Sequence, residues 1–263
     1  MTLFDIDSRP RDPSVRRLKL VIAYAGTDFR GFAVQPDVRT VQGVLSDALA
    51  MVLNVSVEEL RFSCAGRTDA GVHAWGQVVA IDAPADIDLI RIARSVNRLL
   101  GPEVVVRSVD EVAPEFDARH SAQRRTYRYT ILNRPTPDPF LAAHSWWIAE
   151  PLNKNMLSLA SDPFVGEHDF SAFCRQGPEG SSNLRKVEVS RWIPDFRDDV
   201  LVYEIQANAF CWQMVRSLVG TIVACGTGRL RPGEVMGIMH SKSRLRANQI
   251  APPEGLCLWA VEY

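Results

Sequence analysis

The stretch Cys64-Ala65-Gly66-Arg67-Thr68-Asp69-Ala70-Gly71-Val72-His73-Ala74 sets one carboxylate, Asp69, between two glycines, with a fixed cation two residues before it. Residues 60–64 (Leu-Arg-Phe-Ser-Cys) read as a short strand and residues 77–81 (Gln-Val-Val-Ala-Ile) as another. The polar turn is therefore expected at the junction of two sheet elements, where a scaffold can position chemistry. On local pattern alone, the favoured reading is that Asp69 only closes an Asx-type turn in which Gly71 supplies a positive φ.

Working outward from that turn, Leu18, Leu20, Ile22 and Tyr24 alternate with other residues and predict a strand over 17–24 that stops at Gly26. Residues 24–36 form a glycine-punctuated loop with aromatics and Arg30, read as an arm toward a ligand. Thr40 is placed to cap a helix carrying Val41, Val44, Leu45, Ala48, Leu49, Val52 and Leu53 at helical spacing. Beyond the turn, Ile87, Ile90, Ala93, Val96, Asn97 and Leu100 predict a second helix ending at Gly101-Pro102, followed by strands over 103–109 and 123–132. This order is that of an α+β domain with helices on one face of a mostly antiparallel sheet.

A Pro-rich stretch over 133–139 precedes a second set of elements. Strands are expected over 186–193 and 200–207, an apolar helix over 211–227, a shorter helix over 232–240 and a closing strand over 255–263. The expected organisation is a loose tail (1–14), an N-terminal half with the Asp69 loop (15–133), a Pro-rich link (134–145) and a C-terminal half (146–263). The halves repeat element order coarsely, without a fixed-period sequence repeat.

Hydrophobic residues make up 46% of the chain and charged residues 23%, as in ordinary globular proteins. Net charge is −1, with 18 basic against 19 acidic residues up to Glu150 and 12 against 12 beyond it. Composition therefore does not point to a polyanionic partner, although a local basic face is enough for one. The five cysteines are scattered, odd in number and lack a Cys-x-x-Cys, which argues against a disulfide framework and a structural zinc site. A reducing cytoplasm fits that usage best. No stretch reaches the ~18 apolar residues of a membrane span, so a soluble, unexported protein is expected.

The uninterrupted run Gly66 to Ala74, GRTDAGVHA, resembles the signature of the tRNA pseudouridine synthase A family. The same family pattern underlies Phe116-Asp117-Ala118-Arg119, Arg125-Thr126-Tyr127-Arg128-Tyr129, Gly166-Glu167-His168-Asp169-Phe170, Met214-Val215-Arg216 and Ala251-Pro252-Pro253-Glu254-Gly255-Leu256. The resemblance implies an α+β fold of two similar half-domains, their mostly antiparallel sheets meeting around a central cleft and helices on the outer face. It further implies isomerisation of uridine to pseudouridine in the anticodon stem-loop of tRNA, at nucleotide positions 38, 39 and 40. Neither cofactor nor metal is implied, and the implied partners are tRNA and a second copy of the chain. Departures fall at Ala25, where aspartate is usual, at Phe32-Ala33, which replace a tryptophan-glutamine pair, and at Trp212-Gln213 and His120.

The reaction breaks an N-glycosidic bond, rotates the base and rejoins it through carbon 5, so it needs a carboxylate acting as nucleophile or base. Asp69 is that carboxylate by resemblance. A carboxylate in a closed pocket keeps its charge beside a cation, and the resemblance places Arg216 there. By pattern alone, Arg216 is a lone charge in an apolar helix that equally reaches out to water. Strand alternation puts Tyr127 and Tyr129 on one face, where both suit a core; the resemblance selects Tyr127 to stack on the target uracil. Arg67 is long enough to hold the gap left by a flipped base, or to pair with phosphate.

Arg30, Arg125 and His168 complete the expected substrate contacts. His73 lies four residues after Asp69 but has no companion ligands, so it reads as structural or RNA-facing. Arg124, Arg125 and Arg128, and Lys242, Arg244 and Arg246, form local basic clusters suited to phosphates. Two other functions fit less well: a noncatalytic RNA-binding protein or RNA chaperone on the same fold, and a hydrolase using Asp69 and His73. The joint presence of Asp69, Arg216 and Tyr127 counts against the first. The lack of a Gly-x-Ser-x-Gly elbow or a metal set counts against the second.

Overall fold

In a computed structural model, residues 14–177, 180–195, 197–247 and 249–263 are described. The tail expected over 1–14 lies, but for Ser14, outside them. The alternation at Leu18, Leu20, Ile22 and Tyr24 builds β1 (Val15–Tyr24), with all four side chains buried. Helix α1 (Val41–Leu53) starts where the Thr40 hydroxyl accepts from the Gly43 N–H, and it ends at Asn54 in the left-handed region. The chain continues through β2 (Ser63–Cys64), β3 (His73–Pro84), α2 (Leu89–Leu100), β4 (Val104–Val112), β5 (Arg124–Asn133), β6 (Trp146–Ile148) and α3 (Lys154–Ser161). It closes with β7 (Gly166–Asp169), β8 (Leu184–Ile193), β9 (Val200–Ala207), α4 (Met214–Gly226), α5 (Val235–Ser241) and β10 (Leu256–Glu262).

One continuous sheet runs β4-β1-β3-β10-β5-β9-β8-β7, with β2 added to β3 and β6 to β5. Every pairing along that path is antiparallel except β10 with β3, which is parallel. The closing strand thus joins the two halves of the sheet: Cys257 and Leu258 pair with His73 and Ala74 on one side, and Leu258 pairs with Tyr127 on the other.

Leu256 and Leu258 share a face of β10, as Tyr127, Tyr129 and Ile131 share a face of β5. Leu258 packs in a core with β1, α1 and α2, and Leu256 packs in a second core with β9, α3, α4 and α5. Two helix layers therefore cover the same side of the sheet, and Tyr127, which packs against both cores, lies in the seam between them. The opposite side carries a smaller cluster around Ala65, Val78, Ala80 and Ala118. Beneath β2, Arg17 pairs with Asp82 at 2.9 Å, both side chains 3% exposed, and also donates to the Arg61 carbonyl and Ser63 hydroxyl. That bonding lets a charge pair stand inside the fold.

Two elements had no expectation in the sequence: β6 and α3 span three and eight residues, too short for a periodic pattern. His168 and Asp169, which read as loop and helix-end residues, lie instead in strand β7, paired with β8. The strand expected over 60–64 is reduced to Ser63–Cys64, because residues 57–60 turn and Arg61 has φ 45°. The cysteine reading is corrected as well. Cys174 and Cys211 form a disulfide with a Cα–Cα distance of 5.7 Å, brought together across 37 residues by the packing of α4 against the chain after β7. Among the described residues no helix is long and apolar enough to cross a membrane.

Candidate active site at the Asp69 turn

Between β2 and β3, residues 65–72 are tied down group by group. The Ala65 N–H donates to the Val78 carbonyl at 2.9 Å and the Gln77 amide to the Gly66 carbonyl at 2.6 Å. Thr68 is buried; its hydroxyl bonds the Tyr24 hydroxyl at 2.8 Å and its carbonyl accepts from the Phe32 N–H at 3.0 Å. The Asp69 carbonyl closes the turn by accepting from the Val72 N–H at 3.2 Å. Gly71 has φ +78°, and a Cβ there would stand 3.0 Å from the Pro253 ring, so glycine satisfies both the backbone and the approach. The loop over 24–36, expected as an arm, instead supports this turn, with Phe29 and Phe32 buried in the core and Arg30 exposed.

His73 belongs to the same support. Its Nδ1 accepts from the Gly26 N–H at 3.0 Å, which leaves Nε2–H to donate to the Glu254 carbonyl at 3.1 Å. Burial, helped by neighbouring His144, pulls the imidazole below its ordinary pKa and favours this neutral tautomer.

The carboxylate itself is met from the other helix layer. Every residue of α4 is buried except Arg216, which stands in the first turn. Its Nη1 donates to Asp69 Oδ2 at 3.3 Å, with side-chain exposures of 14% for Arg216 and 26% for Asp69. Its Nε donates to the Ala251 carbonyl at 2.7 Å, fixing the direction of the fork. Residues 249–251 reach this position because Gly220 of α4 has no side chain; a Cβ there would run into the Gln249 carbonyl. The second carboxylate oxygen, Oδ1, accepts from the Trp212 indole N–H at 2.9 Å. Each oxygen of Asp69 thus has one donor from the C-terminal part of the chain, and the one on Oδ2 is a guanidinium.

Tyr127 completes the centre from β5. Its ring lies 5.0 Å from that of Phe210 at 83°, and its hydroxyl lies 4.0 Å from where a Cβ would stand on Gly66. Burial holds its phenol above the ordinary tyrosine range; Arg125 opposes this and the Asp69 charge adds to it. Tyr129 is fully buried and donates to the Pro252 carbonyl at 2.8 Å.

Arg67 is exposed on the same turn. Arg125 spends its guanidinium on the carbonyls of Ala65, Arg119, Ala122 and Asn208. His168 is on the edge strand β7, bonded to the Val165 carbonyl at 3.0 Å.

Sequence reasoning missed Trp212. The only signal was its departure from the family pattern two residues before α4 begins. Its bond to Asp69 spans 143 positions. Arg175 then lies over the outer face of that indole, 4.1 Å from the ring centroid.

A carboxylate bonded by donors from across a sheet seam, on a turn tied down by its own half of the chain, is the arrangement of a carboxylate-centred enzyme. The family is then shown by comparison. A family model described as tRNA pseudouridine synthase matches residues 20–121 and 160–263. Proteins named tRNA pseudouridine synthase A are 41% identical in Corynebacterium glutamicum (94% of this chain, 89% of that one) and 39% identical in Leifsonia xyli subsp. xyli (94% and 91%). A third, in Pseudothermotoga lettingae, is 36% identical over 95% of this chain and 100% of its own length. The chain belongs to the tRNA pseudouridine synthase A family.

Proposed function

We propose that this chain is a tRNA pseudouridine synthase, isomerising uridine to pseudouridine in the anticodon stem-loop at nucleotide positions 38, 39 and 40, with Asp69 as the catalytic carboxylate. The observation that carries this reading is the bonding of both Asp69 oxygens, by Arg216 and by Trp212, on the family's own turn. Attack on the sugar, attack on the ring and removal of a sugar proton all use the Asp69 carboxylate, which the two donors hold in one orientation. On this reading the halves 15–133 and 146–263 each contribute part of the centre.

A base within a stem must leave the stack before Asp69 reaches its sugar. Tyr127 then stacks on the detached uracil, keeping it in place while its carbon 5 turns toward the sugar. Arg67, exposed beside Asp69, holds the vacated space, and Arg30 and His168 contact the RNA from further out. Arg125 serves the substrate indirectly, by tying together the loops around Ala65 and Asn208. The enzyme acts as a homodimer in the cytoplasm.

The test uses tRNA transcripts with 5-tritiated uridine at only one of positions 38, 39 or 40, and uniformly labelled tRNA beside them. Loss of the carbon 5 hydrogen accompanies the new bond, so tritium release is expected from each. Release from the uniformly labelled tRNA with none from the three single-label transcripts would overturn the assignment of the target.

A further inference from the structure

Arg175 and Arg244 flank the Asp69 centre, and neither takes part in its bonding. Arg175 follows Cys174, and its N–H donates to the Trp212 carbonyl at 2.9 Å while its guanidinium covers the Trp212 ring. Arg244 is partly buried; its Nη2 donates to Gln213 Oε1 at 2.6 Å, and its Nη1 is buried with no hydrogen-bond partner. Among the described residues neither arginine is in an ion pair. Among the described residues, Asp169 is engaged with Lys242 at 2.7 Å and Asp69 with Arg216.

Two like charges set close together without a counter-ion are unfavourable, and an unpartnered buried N–H adds to the cost. Burial, then the field of Arg175, works against the charge on Arg244. An anion bridging the two guanidiniums would relieve both, and the planar fork of arginine matches a phosphate geometrically. The position is also fixed. The Cys174–Cys211 bond ties the residue before Arg175 to the residue before Trp212, so the stacked pair is anchored at both backbones. Trp212 spans from this pair to Asp69, its N–H on the carboxylate and its ring under Arg175.

We propose that Arg175 and Arg244 form a docking site for one phosphodiester of the bound RNA, next to the target nucleotide; this rests on the reading of the chain as a tRNA-modifying enzyme. The site positions substrate and takes no part in bond making. Arg246 and Lys242, grouped with Arg244 by sequence alone, are not part of it: Lys242 is paired with Asp169, and Arg246, in the same turn as Arg244, is exposed.

The experiment is a salt titration of tRNA binding for wild type, Arg175→Gln, Arg244→Gln, the double variant, and Arg94→Gln on the exposed side of α2 as control. Neutralising one phosphate contributes a slope of roughly −0.7 to −0.9 in log affinity against log salt. Arg175→Gln and the double variant should flatten the line by about one unit, the double adding little to either single change because one phosphate is shared. The single-turnover rate at saturating tRNA should hold in both. Arg94→Gln should leave the slope as it is.

An unchanged slope in Arg175→Gln, or an equal flattening by Arg94→Gln, would overturn the site. Should Arg244→Gln fail to fold, exposed Arg175 decides alone. Tritium release by wild type on the same tRNA separates the two claims. Normal release with unchanged slopes removes only the phosphate site, whereas flattened slopes without release remove only the catalytic reading.

Discussion

The two sides that meet at Asp69 are built differently. On its own side the turn is secured by backbone hydrogen bonds and a buried threonine within residues 24–78, and by Gly71, which lets Pro253 approach. Across the seam the carboxylate is met by side chains, Arg216 and Trp212, and beyond them by Arg175 and Arg244. The first side fixes where the acid stands; the second supplies the donors on its oxygens. Substitutions on the turn should therefore abolish function or folding, whereas those across the seam should give graded losses.

The largest expected effect lies on the turn. Asp69→Asn keeps the side-chain oxygen that the Trp212 N–H bonds but removes charge and nucleophilicity. Single-turnover pseudouridine formation should fall by more than about 1,000-fold while tRNA affinity stays near wild type. Turnover within tenfold of wild type would break the comparison at its first term. Next comes Arg216→Met, which leaves Asp69 with one donor; loss of such a charged donor costs about 100- to 1,000-fold in rate. Because Arg216 also holds the Ala251 carbonyl, its thermal melt should be recorded alongside.

Tyr127 lies in the seam itself. Tyr127→Leu should lose about 1 to 3 kcal/mol of interaction with the flipped base, while Tyr127→Phe keeps the ring and most of the affinity. Equal behaviour of the two variants in binding and single turnover would argue against stacking. An effect of similar size to that of Tyr127→Leu, but on rate and not on affinity, is expected from Trp212→Phe, which keeps a ring for Arg175 but removes the N–H bonded to Asp69. A single hydrogen bond to a charged group is worth about 1.5 to 3 kcal/mol, so the rate should fall by about 10- to 100-fold with little change in affinity. A larger loss than in Arg216→Met would reverse the order of the two donors.

The same contrast explains how much was legible in the sequence. The turn is contiguous, so Asp69, Gly71 and the flanking strands could be read from neighbouring residues, as could α1 from Thr40 and its apolar spacing. The lone charge of Arg216 in an apolar helix was visible, and its partner came only by resemblance. Trp212, Arg175 and the Cys174–Cys211 pair are different, because each acts through a contact distant in the chain and no local period marks it. Strand β10 shows the same limit for the fold. Its apolar character was plain, yet its parallel place between β3 and β5, which makes two sheets into one, is a matter of tertiary pairing.

The claim that this assembly is an isomerase and more than a tRNA-binding surface is tested most directly by release of tritium from 5-tritiated uridine in bulk tRNA, with nuclease digests of the same tRNA assayed for pseudouridine. The account predicts release by wild type in step with pseudouridine formed, and none from Asp69→Asn bound to the same tRNA. Tight binding by wild type without release would contradict it, and would leave the chain a binding protein on a synthase fold.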